Sequence, residues 1–540
     1  MIKNASCVLA ASVSICLAVS ASAQPADLRI DNAKIYDGTG NAFYLGSVTV
    51  RAGKIDSITR AGTPAKLVPA ATTIVDARGL ALAPGFIDVH THADDDLFRL
   101  PLAENFIRNG VTTLVIGNCG GSPTDIGAYF KRLSETGSAT NVAALIGHNS
   151  VLRAVGDVGD APLSDKQLTD AKAIVRKAME DGAVGFSTGL IYTPGTYSPT
   201  EEIIELAKVA GEYGGIYASH MRSESTEILS AIDEALRIGR ESGCRVQISH
   251  FKLPRDMAGN LGGAQATLGK VMAARAAGQE VWVDQYPYTA SSTTINTMLP
   301  DHILEKGREA AAEYLKTPDG RAAAKAQMAK DAARRQRTDL SYAVFAGTKN
   351  AGKSVKQVAE MRAAEKAGEL LGATPPAVTL DEQFDVVIDT FLAGGASMVF
   401  HTMDEKEVKD IMAHPLVSVA SDSGVRQFGS GQPHPRGYGT NTRVLGRYVR
   451  ELGVTTLEDA VRKMTSQPAT AFEFKDRGLL RPGYAADLVL FDPQTVADRA
   501  TFEQPHQYPV GIVGVYVNGV LVFDGEKMTG AKPGSGIRAR

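Results

Sequence analysis

The sequence predicts an α/β fold: a (β/α)8 TIM-like barrel, a small β-sandwich built from both termini, and a helical insertion near the barrel's C-terminal face. Three observations lead to this prediction. Turn-rich segments with strand-like alternation occur near both ends of the chain. Between them, short apolar runs alternate with helical stretches. Polar residues that can bind a metal stand at the C-terminal ends of several apolar runs, where a barrel gathers its active site.

Length and composition limit the class of protein. A chain of 540 residues is too long for one ordinary core, so at least two folded units are expected. Hydrophobic residues make up 44% and charged residues 22% of the chain, which is typical of a globular protein. The net charge of -3, without blocks of like charge, argues against nucleic acid as a partner.

The N-terminus has the pattern of a secretory signal peptide. Lys3 is followed by a mostly apolar stretch and by the small residues ASA at 21–23. This predicts a signal peptide over residues 1–23, cleaved after Ala23, and a periplasmic or secreted mature protein. A membrane anchor is the alternative, but the apolar stretch is short and no basic cluster follows it. No membrane contact is therefore expected of the mature form.

Cleavage would remove Cys7 and Cys16 and leave Cys119 and Cys244, so a disulfide between the remaining pair is an alternative to weigh. Cys119 follows the end of its predicted strand, whereas Cys244 precedes the strand that ends at His250. The two faces of the barrel are roughly 15 to 20 Å apart at about 3.3 Å per residue. A disulfide needs α-carbons within about 7 Å. The sequence therefore predicts two unpaired cysteines.

The terminal segments predict the β-sandwich. Residues 24–84 contain LRIDNAKIYDGTG and GSVTVRAGKIDSITR, where apolar and polar residues alternate between DG and AGK turns. Residues 481–540 show the same texture in AADLVLFDP and VGIVGVYVNGVLVFDGE. Because both β-rich pieces flank the rest of the chain, one small domain assembled from both termini is expected.

Residues 85–480 predict the barrel. Its apolar runs are GFIDVH, TTLVIGN, VAALIGH, AVGFST, GIYASH, RVQISH, VWVDQYP, SMVFH and LVSVASD. That is one run more than a (β/α)8 barrel needs, so one of the last three is expected to lie outside the wall. A doubly wound open sheet is the alternative, but it would require a glycine fingerprint after the first strand.

A segment from about residue 287 to 395 interrupts this alternation. Its Ala/Lys/Arg-rich stretch GREAAAEYLKTPDGRAAAKAQMAKDAARRQR predicts a mostly helical insertion. Insertions of this length in a barrel typically form a lid over the site. The stretch GTKNAGKS at 347–354 matches the phosphate-loop pattern, and FDVVID imitates the strand that carries a magnesium ligand. Nucleotide binding is disfavoured because the insertion is too short for a parallel sheet of its own.

Six side chains that can bind a metal lie at the ends of predicted strands. They are His90, His92, Cys119, His220, His250 and Asp422. One such histidine alone is more often structural, but the constellation favours a metal site. In His-x-His on a strand both imidazoles point the same way. Imidazole nitrogen together with a cysteine thiolate favours zinc, and Asp422 could accept a proton from the attacking water.

The chain contains a set of motifs that are specific in combination: GFIDVHTHADDD, GNCGGSP, GAVGFSTGLIYTPGTYSPTEEI, YASHMRSES, QISHFK, VASDSG, HPRGYGT and MTSQPATAFEFKDRGLLRPGYAADLVLFDP. Together these motifs resemble the amidohydrolase superfamily. Within it they are similar to the N-acyl-D-amino-acid deacylases, the D-aminoacylases, over nearly all of the mature chain. The resemblance implies zinc-dependent hydrolysis of the amide bond of N-acyl-D-amino acids, which gives a carboxylate and a free D-amino acid.

The resemblance also implies roles for the metal-binding side chains. Many relatives bridge two metals with a carboxylated lysine of the fourth strand, but AVGFSTG has no lysine and Cys119 corresponds to a ligand on the second strand. One tightly bound zinc would be held by Cys119, His220 and His250. The two histidines of the first strand would mark a second position of open occupancy. Asp422, between the two, would act as general base and then as general acid.

A substrate of this kind carries a carboxylate beside its amide. The carboxylate-binding residues of the family correspond here to Lys252, Tyr286, Ser292 and Arg436, with Tyr192 lining the pocket. An arginine fork suits a carboxylate. Tyr288 and Ser291 stay alternatives to their neighbours. The glycines around Cys119 predict room for substrate beside the ion.

Two other classes of function remain as alternatives. One is a different amidohydrolase activity, such as an exported dipeptidase or a cyclic-amide hydrolase, which would use the same metal chemistry. The other is a periplasmic binding protein without catalysis, which the presence of Asp422 beside every candidate ligand disfavours. The acyl group, the preferred side chain and the oligomeric state are left open.

Overall fold

The computed structural model describes residues 25–156, 161–255, 261–304, 307–347, 349–368 and 377–539. The predicted signal peptide, with Cys7 and Cys16, lies outside the described residues. Cys119 and Cys244 are both free thiols, which confirms that they do not pair. None of the helices in these ranges is long and apolar enough to cross a membrane.

Eight parallel strands form the barrel wall in chain order. The strands are Phe86–Asp88, Val111–Ile116, Asn141–Gly147, Gly185–Gly189, Ile216–His220, Arg245–Ile248, Val281–Gln285 and Val417–Val419. Each pairs in parallel with the next. A bridge between Thr91 and Ser423 joins the first strand to the last, and the Asp422 amide donates to the His90 carbonyl over 2.9 Å. The seam that closes the barrel therefore carries candidate site residues.

Helices pack around the wall with an apolar face inward. The longer ones are Ile126–Thr136, Asp165–Glu180, Thr200–Glu212, Ile228–Ser242, Gly263–Ala276 and Glu405–Ala413. The shorter ones are Asp96–Arg99, Glu104–Ile107, His148–Ala154, Arg436–Arg443, Leu457–Met464 and Ser466–Ala471, with a π-helix at Val444–Glu451. In Asp165–Glu180, Ser164 and Gln167 form a capping box, and Ala171, Val175 and Ala178 are buried at helical spacing.

Both termini build a separate eight-stranded sheet. The N-terminal part supplies Ala26–Ile35, Tyr44–Arg51, Lys54–Arg60, Ala71–Asp76 and Ala81–Pro84. The C-terminal part supplies Leu488–Phe491, Ile512–Val517 and Val520–Phe523. Ala81–Pro84 pairs antiparallel with Leu488–Phe491, and this ladder joins the two parts. The sheet has its own buried apolar cluster, so the prediction of a β domain made from both ends of the chain is confirmed.

The insertion is mostly helical, as predicted, and it also contains a small antiparallel sheet. Its helices are Asp301–Leu304, Gly307–Lys316, Pro318–Arg334, Val355–Ala367 and Leu380–Leu392, and its strands are Ser291–Thr294, Ala343–Phe345 and Ser397–Phe400. The run SMVFH therefore lies outside the barrel wall, which confirms that one of the last three predicted strands does not belong to it. A separate apolar cluster forms the core of the insertion.

The phosphate-loop pattern does not lie in a nucleotide-binding unit. The strand before it, Ala343–Phe345, pairs antiparallel, whereas a phosphate loop follows a strand of a parallel sheet. The stretch FDVVID resembles a strand that carries a magnesium ligand, but it lies in a helix. Asp389 at its end forms ion pairs with Arg321 and Arg362, at 2.6 and 2.7 Å.

A buried polar cluster joins the terminal sheet to the N-terminal end of the third barrel strand. Asp487 is 5% exposed and accepts from the Arg477 guanidinium at 2.5 Å and from the Asn141 side chain at 3.1 Å. It also accepts from the backbone amide of Asn518 at 2.8 Å. Asn141 begins the third barrel strand and Asn518 lies in the last hairpin of the sheet. One carboxylate thus holds together segments distant in sequence.

Asp487→Ala is expected to lower the free energy of unfolding by about 3 kcal/mol, because it leaves the buried Arg477 without its main partner. Urea denaturation measures the change. Asp56→Ala is the control, since Asp56 pairs with Arg51 at 3.4 Å where both side chains are about one-third exposed. An exposed pair contributes less than about 1 kcal/mol. Equal losses in the two variants would contradict the proposed role of this cluster.

Candidate active site

The candidate site lies at the C-terminal ends of the barrel strands. His90 and His92 follow the first strand, Cys119 follows the second, and His250 follows the sixth. His220 is the last residue of the fifth strand and Asp422 follows the eighth. The backbone is left-handed at Cys119, His250 and Asp422, with φ of 53°, 35° and 51°. Such conformations cost about 1 kcal/mol or more each and cluster at functional sites, where surrounding structure enforces them.

Three imidazoles surround the thiol of Cys119. The distance from its Sγ is 3.3 Å to His90 Nε2, 3.6 Å to His220 Nδ1 and 3.7 Å to His250 Nε2. His220 Nδ1 and His250 Nε2 are 2.7 Å apart. The structure therefore brings together the soft ligand and the imidazole nitrogens that the sequence predicted.

These donors fit zinc. Ligand atoms on one tetrahedral zinc, at the usual Zn–S and Zn–N bond lengths, lie about 3.3 to 3.7 Å from one another. The two distances from Cys119 Sγ to His220 and His250 fall in this range. The two imidazole nitrogens are closer than that and would have to separate slightly. Thiolate and imidazole together are a typical zinc donor set.

A second group of possible metal ligands lies beside the one around Cys119 and consists of His90, His92 and Asp422. Asp422 Oδ1 lies 3.1 Å from His92 Nε2 and 3.5 Å from His90 Nε2. The ligand atoms of these three residues lie within 4.8 Å of one another, and so do those of His90, Cys119 and His250. His90 is fully buried between the two groups, whereas the His92 side chain is 41% exposed. The second group could hold a metal at a more open position.

Charge inside the site favours the ionised forms of both Cys119 and Asp422. Burial opposes ionisation of the thiol, but the charge of His90 and hydrogen bonds with His220 and His250 lower the pKa of Cys119 well below its usual range. Burial likewise opposes the Asp422 carboxylate, and the charge of Arg436 leads the effects that lower its pKa well below the usual range. Arg436 Nη1 lies 2.8 Å from Asp422 Oδ2.

Three carboxylates behind the site were not predicted from the sequence. Asp284 Oδ1 lies 3.5 Å from His90 Nδ1 and accepts from the His250 amide at 2.7 Å. Asp88 accepts from the amides of His90 and Ser421, each at 3.1 Å. Both lie within apolar strands, and an acidic residue in such a run is the signal that could have found them. The third, Glu224, lies in the loop after the fifth strand.

Glu224 contacts two of the candidate metal ligands. Its Oε1 lies 2.9 Å from His250 Nδ1, and its Oε2 lies 3.6 Å from His220 Nε2. It also forms an ion pair with Lys252. Burial opposes its ionisation, but the charge of Lys252, followed by those of His250 and His220, lowers the pKa of Glu224 below its usual range.

The structure places most of the predicted substrate residues around this centre. The Arg436 guanidinium lies 4.8 Å from the centroid of the Tyr286 ring, and Lys252 Nζ lies 5.9 Å from it. The Tyr192 ring lies 5.0 Å from the His220 ring, and its hydroxyl is 3.0 Å from Thr293 Oγ1. The cations, the tyrosines and the candidate metal ligands therefore surround one region.

The sequence left open whether Tyr286 or Tyr288, and whether Ser291 or Ser292, contacts the substrate. Tyr288 packs against His434 and its hydroxyl donates to the Pro435 carbonyl at 3.4 Å. The Ser292 hydroxyl donates to the Met398 carbonyl at 2.8 Å, within the sheet of the insertion. Ser292 meets the site through its carbonyl, which accepts from Arg436 Nη2 at 3.2 Å.

Two other histidines have structural contacts. His434 accepts from the Arg436 amide at 3.0 Å, and its other ring nitrogen lies 2.9 Å from the Ala290 carbonyl. It therefore helps to hold Arg436 in place. His148 is fully buried, and burial, aided by the charge of Arg222, lowers its pKa to about 3.

A cavity of about 840 Å³ opens beside the site. Glu224 and Lys252 lie at its wall on the barrel side. Ser291, Thr293 and Tyr342 of the insertion line the opposite wall. The insertion therefore faces the open end of the barrel across a space large enough for a small organic substrate.

The chain belongs to the amidohydrolase family, whose sequence model matches residues 73–523. N-acyl-D-aspartate deacylase of Alcaligenes xylosoxydans xylosoxydans is 35% identical over 537 residues, which cover 94% of each chain. D-aminoacylase of the same organism is 35% identical over 534 residues, which cover 95% of this chain and 97% of the relative.

A solved structure resembles the whole molecule. It is an N-acyl-D-glutamate deacylase from Bordetella bronchiseptica, complexed with zinc and a phosphonate inhibitor that mimics the tetrahedral intermediate. The TM-score is 0.78 at 34% identity, and the match covers 96% of this chain and all of the other. These likenesses confirm the predicted N-acyl-D-amino-acid deacylase family, the fold class and the enzyme class, a metal-dependent amidohydrolase.

In the metal-free protein that begins at residue 24, iodoacetamide at pH 6.5 is expected to modify Cys119 much faster than Cys244. The depressed pKa of Cys119 leaves it as the reactive thiolate. Cys244 is 5% exposed, and burial raises its pKa. Peptide mass spectrometry over a time course measures both rates. Similar rates at the two thiols would contradict this description of the site.

Proposed function

We propose that this protein hydrolyses the amide bond of N-acyl-D-amino acids and releases a carboxylate and a free D-amino acid. The observation that carries the proposal is the juxtaposition of a zinc-type donor set, the Asp422 carboxylate and two cations at one end of the barrel. A linear N-acyl amino acid presents its own carboxylate next to the scissile nitrogen, so it matches this arrangement of charge.

Cys119, His220 and His250 would hold one zinc tightly. The distances between their donor atoms support this assignment, because the thiolate lies within reach of both imidazoles. A second position would lie near His90 and His92, which share Asp422. Bound zinc polarises an amide carbonyl and makes water a better nucleophile near neutral pH.

Asp422 would move the proton. Its low pKa keeps it ionised and therefore able to accept a proton from the attacking water. The same carboxyl would then return that proton to the departing amine, so one residue serves first as base and then as acid. The backbone at Asp422 is left-handed, and its amide donates a hydrogen bond to the His90 carbonyl. Both features fix the Asp422 carboxylate beside the imidazoles.

The substrate carboxylate would be bound by Lys252, Arg436 and Tyr286. Arg436 has five N–H donors, so it can hold Asp422 and a substrate carboxylate together. The Tyr286 hydroxyl is buried and has no hydrogen-bond partner among the described residues. Such an orphaned donor normally has a partner that the bare protein does not supply, and a carboxylate oxygen would satisfy it.

Zinc-loaded enzyme is expected to release D-amino acids from N-acyl derivatives of aspartate, glutamate and neutral residues, tested as separate D and L enantiomers. Chiral chromatography measures the product. Dipeptides and cyclic ureides in the same panel test the alternative amidohydrolase activities. Release of L-amino acids alone, or turnover of the dipeptides or cyclic substrates alone, would overturn the proposal.

Asp422→Asn is expected to lower kcat by about 10² to 10⁴-fold, the usual contribution of a general acid–base. Zinc content should remain close to that of the wild type, because the three tight ligands are intact. Steady-state kinetics and metal analysis of the same sample provide both values. A near-normal kcat with full zinc content would show that Asp422 is not the residue that transfers the proton.

A further inference from the structure

Glu224 occupies the space behind two of the candidate zinc ligands. It lies four residues after His220, and its side chain is 16% exposed. One of its oxygens faces His250 Nδ1 at 2.9 Å and the other faces His220 Nε2 at 3.6 Å. A single carboxylate therefore reaches both rings from the side away from Cys119.

The two nitrogens of the His250 ring thus have separate partners, whereas His220 Nε2 faces Glu224 without a hydrogen bond to it. His220 Nδ1 and His250 Nε2 face Cys119 Sγ, at 3.6 and 3.7 Å. The outer nitrogens of the same rings face Glu224. An imidazole that donates its proton to a carboxylate keeps the lone pair of its other nitrogen free for a metal. A carboxylate at this place would select the zinc-binding tautomer of His250.

Lys252 makes this selection necessary at His250. Its Nζ lies 2.9 Å from His250 Nδ1, the same nitrogen that faces Glu224. An ammonium group can only donate. If Lys252 donated to Nδ1, the ring proton would have to sit on Nε2, the nitrogen that faces Cys119. Lys252 alone would thus block His250 as a ligand, whereas Glu224 can accept from both the ammonium and the ring.

We propose that Glu224 is a positioning residue that sets the zinc-binding tautomer of His250 by accepting hydrogen bonds from both the ring Nδ1 and the Lys252 ammonium. This inference rests on the proposed function only in taking His220, His250 and Cys119 as the zinc ligands. The role proposed for Glu224 is exerted through the His250 ring, although Glu224 also lies in the wall of the cavity.

The test compares zinc dissociation constants, measured by competition with a chromophoric chelator, in protein stripped of metal and titrated with zinc. Glu224→Gln keeps the shape of the side chain and removes its charge. Glu227→Gln is the matched control, because Glu227 lies in the same segment and lines the same cavity, and its hydrogen bonds are made by its backbone. Lys252→Met and the double variant Glu224→Gln/Lys252→Met complete the set.

Glu224→Gln is expected to weaken zinc binding by about 10 to 100-fold, as is usual when the outer partner of a metal-bound histidine is lost. Glu227→Gln should bind zinc as the wild type does. The double variant should bind zinc more tightly than Glu224→Gln alone, because the competing ammonium is gone. In zinc-free protein labelled with ¹⁵N-histidine, Glu224→Gln should shift His250 toward the tautomer protonated at Nε2, and added loss of Lys252 should reverse this.

Zinc affinity in Glu224→Gln equal to that in the control would overturn the proposal. So would a double variant that binds zinc no better than Glu224→Gln. If Glu224→Gln fails to fold, Glu224→Asp replaces it, with a smaller loss of affinity expected because the shorter carboxylate cannot reach both the His250 ring and the Lys252 ammonium. Neither measurement involves a substrate, so a failed deacylase assay and a failed role for Glu224 are distinguishable.

Discussion

The packing of one cysteine thiolate among three imidazoles is the constraint on which the rest of the site depends. To place Cys119 there, the chain leaves its strand in a left-handed conformation at Cys119 itself. Gly117 and Gly120, on either side, also have positive φ, of 78° and 77°. A Cβ at Gly117 would lie 2.1 Å from the Leu145 carbonyl oxygen, and one at Gly120 would lie 2.9 Å from the Gly189 amide nitrogen.

Gly117 and Gly120 are pressed against the backbone of the third and fourth strands, so they are needed for close packing of the loop. Gly121 is more open, since only the Asn118 carbonyl oxygen, at 3.9 Å, lies near the position of a Cβ. Room for substrate beside the metal stays a prediction for these glycines. A cavity of about 840 Å³ opens between the barrel and the insertion, with Glu224 and Lys252 in its wall.

Charged side chains that are not themselves candidate metal ligands contact several of the candidate ligands. Asp284 stands behind His90, Glu224 stands behind His220 and His250, and Arg436 faces Asp422. Four of the six candidate donors, His90, His220, His250 and Asp422, thus have a charged group beside them that helps to orient them in a buried place. The outer groups come from separate strands and loops, and only closure of the barrel brings them together.

The fold and the donor set were largely predictable because both follow from a local pattern. Apolar runs mark strands, and a polar residue at the end of each run must lie on the same face of the barrel. Glu224 escaped prediction because no apolar run precedes it directly, and its place depends on how the loop after His220 folds back. The sheet of the insertion escaped because its strand Ser291–Thr294 is entirely polar. Ser291 lines the cavity, whereas the Ser292 hydroxyl donates to the Met398 carbonyl within the sheet.

The proposed mechanism depends most on the thiolate of Cys119 as a ligand to zinc. X-ray absorption at the zinc edge of enzyme loaded with one equivalent of metal tests this directly. We expect one sulfur at about 2.3 Å and two or more nitrogen or oxygen ligands at about 2.0 to 2.1 Å, with the sulfur signal lost in Cys119→Ser. A first shell of nitrogen and oxygen alone in the wild-type enzyme would contradict this mechanism.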